Sequence, residues 1–209
     1  MLIIDGPDMA GKTTLAHALL KRLWENPKKY GNYAAVYEHF SALPPSWQYP
    51  KSYLPFIKRY SVMDRFHLSE LAYGRVTRAD TMLTNQAVRF LEGQLACVGS
   101  MTVLITLSDD FLKKQWEAKA SRGEMFTLDQ VLRVNQMYKC LGDYNPEARV
   151  DMAFTVESEA DYVTNDEGAM SAILREWTSR LGFLMCVYGD HYQCARVPVN
   201  EVETLHATP

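Results

Sequence analysis

Apolar positions in this chain alternate between short continuous runs and stripes at three- and four-residue spacing, a pattern that predicts strands followed by helices. Met1 to Asp5 reads as a short buried strand, followed by a glycine-containing turn and a helix with Leu15, Ala18, Leu19 and Leu23 on one face. Ala34 to Glu38 predicts a second strand and residues 60–64 a third. Leu68, Leu71 and Ala72 open another helical face, and residues 83–97 supply a further helix. The run MTVLITL at 101–107 is continuously apolar and partly β-branched, the signature of a strand buried on both faces. A helix begins near Asp109, which is expected to cap its first turn. Arg122-Gly123-Glu124 interrupts that helix as a lid-like segment spanning 115–127, and the next helix covers 128–141, with Leu128, Val131, Leu132 and Tyr138 as core contacts. Residues 152–156 predict a fifth strand and 168–181 a last helix; from 183 onward the pattern is ambiguous. The stretch SALPPSWQYPKSYLPF carries four prolines and is expected to be an irregular loop, within 41–59, up to Phe56. Short strands alternating with long helices predict an α/β fold, a parallel sheet between two helical layers.

Composition narrows the class without choosing a function. With 209 residues, 47% of them hydrophobic, and a formal charge of -3, the chain suits a single domain over 1–209 and is too apolar to be disordered throughout. A generally basic nucleic-acid surface is disfavoured, although a local groove can still hold a polyanion. No apolar stretch approaches the roughly 20 residues of a spanning helix, and no basic leader precedes Met1-Leu2-Ile3, so no membrane association is expected. Cys97, Cys140, Cys186 and Cys194 form no CxxC pair, which indicates neither a zinc site nor a disulfide scaffold and suits a reduced, cytoplasmic setting.

The strongest chemical signal is Gly6-Pro7-Asp8-Met9-Ala10-Gly11-Lys12-Thr13, a G-x-x-x-x-G-K-T run between a strand and a helix. Gly6 and Gly11 permit backbone turns whose amides, through Asp8, Met9 and Ala10, face nucleotide phosphates, and the start of the following helix adds its positive end. In this pattern Lys12 reaches the β- and γ-phosphates, Thr13 offers its hydroxyl to Mg2+, and Thr14 supports the turn. The motif implies a bound nucleoside triphosphate and does not separate a kinase from an ATPase, a GTPase or a switch.

Asp64-Arg65-Phe66-His67-Leu68-Ser69-Glu70-Leu71-Ala72-Tyr73 narrows that choice, because it resembles the D-R-x-x-x-S-x-x-A-Y segment of thymidylate kinases and related deoxynucleoside kinases, a family with viral members. The resemblance implies a P-loop NTPase three-layer sandwich of the nucleotide-kinase type with a lid, ATP and Mg2+ as cofactors, and transfer of a phosphoryl group to a deoxynucleoside monophosphate, dTMP or a modified pyrimidine nucleotide. It implies that Asp64 helps hold Mg2+ and organises the acceptor region, that Arg65 stabilises phosphate charge, and that Ser69 and Tyr73 support the acceptor pocket. Arg65 suits its role chemically, since a guanidinium makes forked hydrogen bonds to phosphate. Where these kinases often carry Gln after Ala-Tyr, this chain has Gly74, which leaves the contact to the base to be supplied elsewhere.

Glu38-His39-Phe40 ends the second strand, where the resemblance places an acidic residue near the acceptor. Glu38 is the candidate for positioning or deprotonating the attacking oxygen, and Phe40 and Phe66 are candidates for stacking on a base. Arg122 is the lid residue expected to close over the transferring phosphate, with Lys119 as its alternative. Arg89, in the helix after the D-R segment, sits where related kinases carry a second acceptor-binding arginine. The family also implies a helix-packed homodimer and, for a viral member, a host-cytoplasmic location. Three other functions stay open: a deoxynucleoside kinase, a kinase of 5-hydroxymethyluracil in DNA, and a nucleotide-dependent switch. Residues 183–209 are an extension to which no role is assigned.

Overall fold

The computed structural model describes residues 1–41, 50–78, 81, 83–119 and 126–188, with backbone alone for 184–188. Five strands, β1 (Leu2–Asp5), β2 (Val36–His39), β3 (Ser61–Asp64), β4 (Met101–Leu107) and β5 (Met152–Val156), form one sheet in the order β2-β3-β1-β4-β5. Every pairing is parallel, and Leu2 at the centre stands opposite Val62 on one side and Met101 on the other. All residues of β1, β3 and β4 are buried, as continuous apolar runs in a sheet covered on both faces must be.

The helices are α1 (Lys12–Glu25), α2 (Pro27–Tyr30), α3 (Pro50–Tyr53), α4 (His67–Thr77), α5 (Asn85–Cys97), α6 (Asp109–Lys119), α7 (Leu128–Lys139), α8 (Leu141–Tyr144) and α9 (Glu167–Tyr188). Alternate side chains of β1 enter different cores. Leu2 and Ile4 pack with Leu15, Leu19 and Leu23 of α1 and with Ile173, Leu174 and Trp177 of α9. Ile3 packs with Leu68 and Leu71 of α4, Val88 and Leu91 of α5, and Val134 and Tyr138 of α7. Each such side chain contributes about 1.5–3 kcal/mol on burial, and the two cores together make the three layers expected from the sequence.

The structure corrects several local expectations. Residues 50–56 are helical: α3 is followed by a 3-10 turn at Leu54–Phe56, with Pro50 and Pro55 in first-turn positions where a missing N–H costs nothing. The second strand runs Val36–His39 rather than from Ala34, and the last helix runs Glu167–Tyr188, past the expected end at 181. Ser108, not Asp109, occupies the capping position of α6, its Oγ accepting from Phe111 N at 3.3 Å. Asp109 instead clasps α6 to α7 by accepting from Asn135, Gln136 and Lys139 at 3.1, 2.9 and 2.9 Å.

Because α1 and α4 leave β1 and β3 on opposite faces of the sheet, a crevice opens at the C-terminal ends of these adjacent strands. That is the position where parallel α/β sheets take up ligands.

Candidate functional site

The loop from Gly6 to Gly11 turns tightly out of β1 under two steric constraints. Gly6 has φ +148°, and a Cβ there would stand 2.1 Å from the carbonyl oxygen of Ile105. Gly11 lies in the left-handed region at φ +76°, with the Tyr162 ring 3.1 Å from where a Cβ would be. Met9 and Arg65, although not glycine, are also left-handed, at φ 69° and 70°. Such conformations cost about 1–3 kcal/mol each and persist when their surroundings over-determine them. Arg65 N donates to Ile4 O at 2.9 Å, and Met9 O accepts from Tyr162 OH at 3.2 Å.

Beneath the loop, the buried carboxylate of Asp5 gathers the elements. Its Oδ1 accepts from Gly6 N at 2.9 Å, Ser69 Oγ at 2.7 Å and Tyr138 OH at 2.6 Å, and its Oδ2 from Phe66 N at 3.1 Å. A fully buried acid requires such partners, and here they tie β1, α4 and α7 to one point. Above it, Asp8 pairs with Arg65, Tyr73 OH donates to Asp8 Oδ2 at 3.0 Å, and the Arg65 guanidinium lies 4.8 Å from the centre of the Tyr73 ring. Burial pushes the Tyr73 and Tyr138 phenols up, with Asp8 and Asp5 respectively adding to the shift, so both hydroxyls remain protonated donors.

Two cavities flank Arg65. The first, about 540 Å³, is lined by Asp8, Lys12, Thr13, His39, Asp64 and Lys119 among others. In it Lys12 is buried and folds back so that Nζ donates to Pro7 O at 2.6 Å. Burial first, and the Arg65 charge second, pull its ammonium down to about 8. Thr13 donates to Asp64 Oδ2, which also accepts from Tyr37 OH at 3.2 Å and lies 3.6 Å from His39 Nδ1. The second cavity, about 210 Å³, shares Arg65 and is walled by Phe40, Tyr53, Phe66, Tyr73 and Phe126, with Ser69, Glu70 and Arg78 as polar neighbours.

Of the residues singled out in the sequence, Asp8, Met9, Gly11, Lys12, Thr13, Thr14, Asp64 and Arg65 line the first cavity, and Phe40, Arg65, Phe66, Ser69 and Tyr73 line the second. Gly6 shapes the loop from below, and Ala10 packs into the core. Glu38 and Arg89 line neither cavity. Glu38 alternates with Tyr37 and His39 along β2, so its side chain leaves the cleft and meets Lys58 at 2.5 Å. Arg89 is exposed on α5 and forks onto Glu147 at 3.0 and 2.5 Å. Arg122 and residues 120–125 of the lid-like segment lie outside the described residues. Strand parity puts His39 and Glu38 on opposite faces of β2 without telling which face meets the cleft. An acid ending a buried strand directly before Gly6 would have marked Asp5. For Tyr162 and Thr164, which reach the first cavity from the far end of the chain, the sequence carried no signal.

No family model matches the sequence, and no curated protein matches it. Among solved structures it is similar to the YorR protein of Bacillus subtilis, with a TM-score of 0.54 and 17% identity over 92% of this chain and 99% of that one. That structure was determined in complex with phosphorylated GDP. At this identity the likeness shows a shared fold: an α/β architecture with a parallel sheet and helices on both sides. Among the described residues, no helix is long and apolar enough to cross a membrane.

Proposed function

We propose that the protein is an ATP-dependent phosphotransferase that moves the γ-phosphoryl group to a pyrimidine deoxynucleoside monophosphate. The observation that carries this reading is the position of Arg65, the residue common to a charged cleft under a glycine-rich loop and an aromatic cavity beside it. A switch needs the cleft and has no use for the cavity. YorR, with the same fold, holds a phosphorylated nucleotide, which supports nucleotide binding here as well.

In this reading the amides of residues 8–13 and Lys12 hold the donor phosphates. Lys12 exchanges its loop carbonyl for phosphate oxygen, and the anion restores the charge that burial penalises. Arg65 leaves Asp8 to fork onto the transferring or acceptor phosphate. Thr13 and Asp64 are the candidate Mg2+ ligands. Their direct contact and the buried Asp64 Oδ1, which has no hydrogen-bond partner among the described residues, fit an oxygen-liganded cation. The ion supplies neutralisation of charge on the phosphate oxygens. Lys119 at the end of α6 lines the same cleft, and in this reading it neutralises charge on the transferring phosphate.

One observation favours a second reading. His39 lines the cleft with Nδ1 3.6 Å from Asp64 Oδ2, a place from which an imidazole could act as the base that a hydroxyl acceptor needs and an ionised phosphate does not. The deciding experiment incubates the protein with labelled ATP, Mg2+ and separate pools of monophosphates, nucleosides and hydroxymethylated DNA. Label is expected in the monophosphate pool, and Arg65→Ala is expected to reduce transfer by about 10²–10³-fold. Transfer confined to nucleosides or DNA favours the second reading; ATP binding with no transfer to any pool refutes both.

A further inference from the structure

The carboxylate at the end of β3 has a neighbour to which the chemistry above gives no part. Asp64 is only 1% exposed and lines the charged cleft. Its two oxygens stand in different surroundings. Oδ2 accepts from Thr13 and, at 3.2 Å, from Tyr37 OH, whereas Oδ1 is buried and has no hydrogen-bond partner among the described residues. His39, two residues further along β2, brings Nδ1 to 3.6 Å from Oδ2, beyond hydrogen-bonding reach. Tyr37 is therefore the residue of β2 that holds this carboxylate.

Tyr37 is itself held. Its ring centre lies 4.4 Å from that of His17, with the two planes inclined at 34°. His17 stands four residues after Thr13 on α1, so both side chains rise from the same face of that helix. The first turn of α1 thus carries a candidate metal ligand, and the next turn carries the ring against which Tyr37 rests. Tyr37 lines neither cavity, so whatever it contributes to the cleft passes through Asp64.

We propose that Tyr37 is a positioning residue for the divalent cation: its hydroxyl fixes Asp64 through Oδ2 and leaves Oδ1 as the unpaired oxygen. The proposal rests on the reading of Thr13 and Asp64 as the Mg2+ ligands. A carboxylate that binds a metal is commonly oriented by a hydrogen bond from outside the ligand set, and losing that bond costs about 10–100-fold in metal affinity or activity. Thr13 can donate its one proton to Asp64 and still offer a lone pair to a cation. Its bond to Asp64 joins two ligands that both have to meet the ion. The bond from Tyr37 comes from a side chain with no such duty, braced by packing on His17, and supplies an orientation independent of the ion.

The test titrates Mn2+, an oxygen-binding stand-in for Mg2+, into the protein with the non-hydrolysable β,γ-imido analogue of ATP. Paramagnetic resonance separates bound from free ion, and the analogue without protein is the reference. Tyr37→Phe keeps the ring and removes the hydroxyl. It is expected to weaken Mn2+ binding by about tenfold and to raise the Mg2+ concentration for half-maximal transfer by the same factor. Affinity for the analogue in EDTA is expected to stay within about twofold. Asp64→Asn is expected to weaken Mn2+ binding at least as much. Unchanged Mn2+ affinity in Tyr37→Phe beside a loss in Asp64→Asn overturns the proposal and leaves the metal assignment standing. Unchanged affinity in Asp64→Asn, or no Mn2+ bound beyond what the analogue holds alone, overturns both. An equal loss of Mn2+ affinity and of analogue affinity in EDTA assigns Tyr37 to packing and also overturns the proposal. If Tyr37→Phe weakens Mn2+ selectively but no label passes to any acceptor, the positioning role stands and the phosphotransferase reading falls.

Discussion

On one side of Arg65 half of the cleft's lining comes from one stretch of chain, residues 8–14, and the chemistry of that stretch is that of backbone amides, a lysine and a threonine. On the other side the cavity draws Phe40 from the end of β2, Tyr53 from α3, Phe66, Ser69 and Tyr73 from the start and middle of α4, and Phe126 from just before α7. The loop of the cleft is a run of consecutive residues turned by two glycines, with Ile105 and Tyr162 packed against the positions where a Cβ would stand. The cavity is shaped by the packing of four separate segments, so its geometry depends on the core beneath it. Phosphate, common to all nucleotides, can be held by a local and invariant device; a base must be distinguished from other bases, and that requires walls from several directions.

If this contrast is right, damage to the two sides should separate in kinetics. Lys12→Ala should lower kcat by about 10²–10³-fold and weaken nucleotide binding, whereas Phe40→Ala should raise the acceptor KM and leave ATP affinity within about threefold of its original value, because an aromatic wall worth about 0.5–1.5 kcal/mol beyond its area is lost on one side alone. Titration calorimetry with ATP and steady-state assays varying each substrate distinguish the outcomes; a matched loss of ATP affinity in Phe40→Ala would dissolve the distinction.

Gly6→Ala tests the close approach of the loop to β4. With a Cβ placed 2.1 Å from the Ile105 carbonyl oxygen, either β4 or the loop must shift, and a destabilisation of about 3 kcal/mol is expected in chemical denaturation. Gly93, on α5 with no neighbour within 4 Å of the Cβ position, is the control at which alanine should be neutral or mildly stabilising.

A smaller effect is expected in the pH dependence of the cleft. Lys12 is held at about 8 against an ordinary 10.5, by burial and then by Arg65. Between those values the unfolded chain binds a proton that the folded protein has released, so stability rises with pH across that window, while below it the full cost of the buried charge is present. Lys12→Met should therefore be more stable than the unsubstituted protein at pH 7, and its advantage should shrink as pH approaches 10. ATP should remove the trend by pairing the ammonium with phosphate. Denaturant midpoints along a pH series decide the matter, and an advantage constant from pH 7 to 10 would argue against the buried-charge account.

Glu38→Gln should have the smallest effect, within about threefold on transfer, because the carboxylate's partner is Lys58 at the surface and such pairs contribute about 0–1 kcal/mol. His39→Ala, by removing a side chain that lines the cleft, should exceed it.

What the sequence determined by itself follows the same division. Hydrophobic periodicity located all five strands and the long helices, since burial on one face or two leaves a repeat that any reader can count, and the G-x-x-x-x-G-K-T run marked the cleft because its steric and electrostatic requirements are met by consecutive residues. Tertiary structure alone decided which residue at the end of β2 faces the cleft, since the boundary of a short strand sets the parity of His39 against Glu38. It alone brought Asp5 together with Ser69 and Tyr138, placed Tyr162 under Gly11, and closed Glu70 and Arg78 into the wall of an aromatic cavity. These are contacts between residues far apart in the chain or on different turns. Spacing along the chain fixes only which side chains share an element; the packing of elements fixes which of them meet, and the aromatic cavity of this protein consists of such meetings.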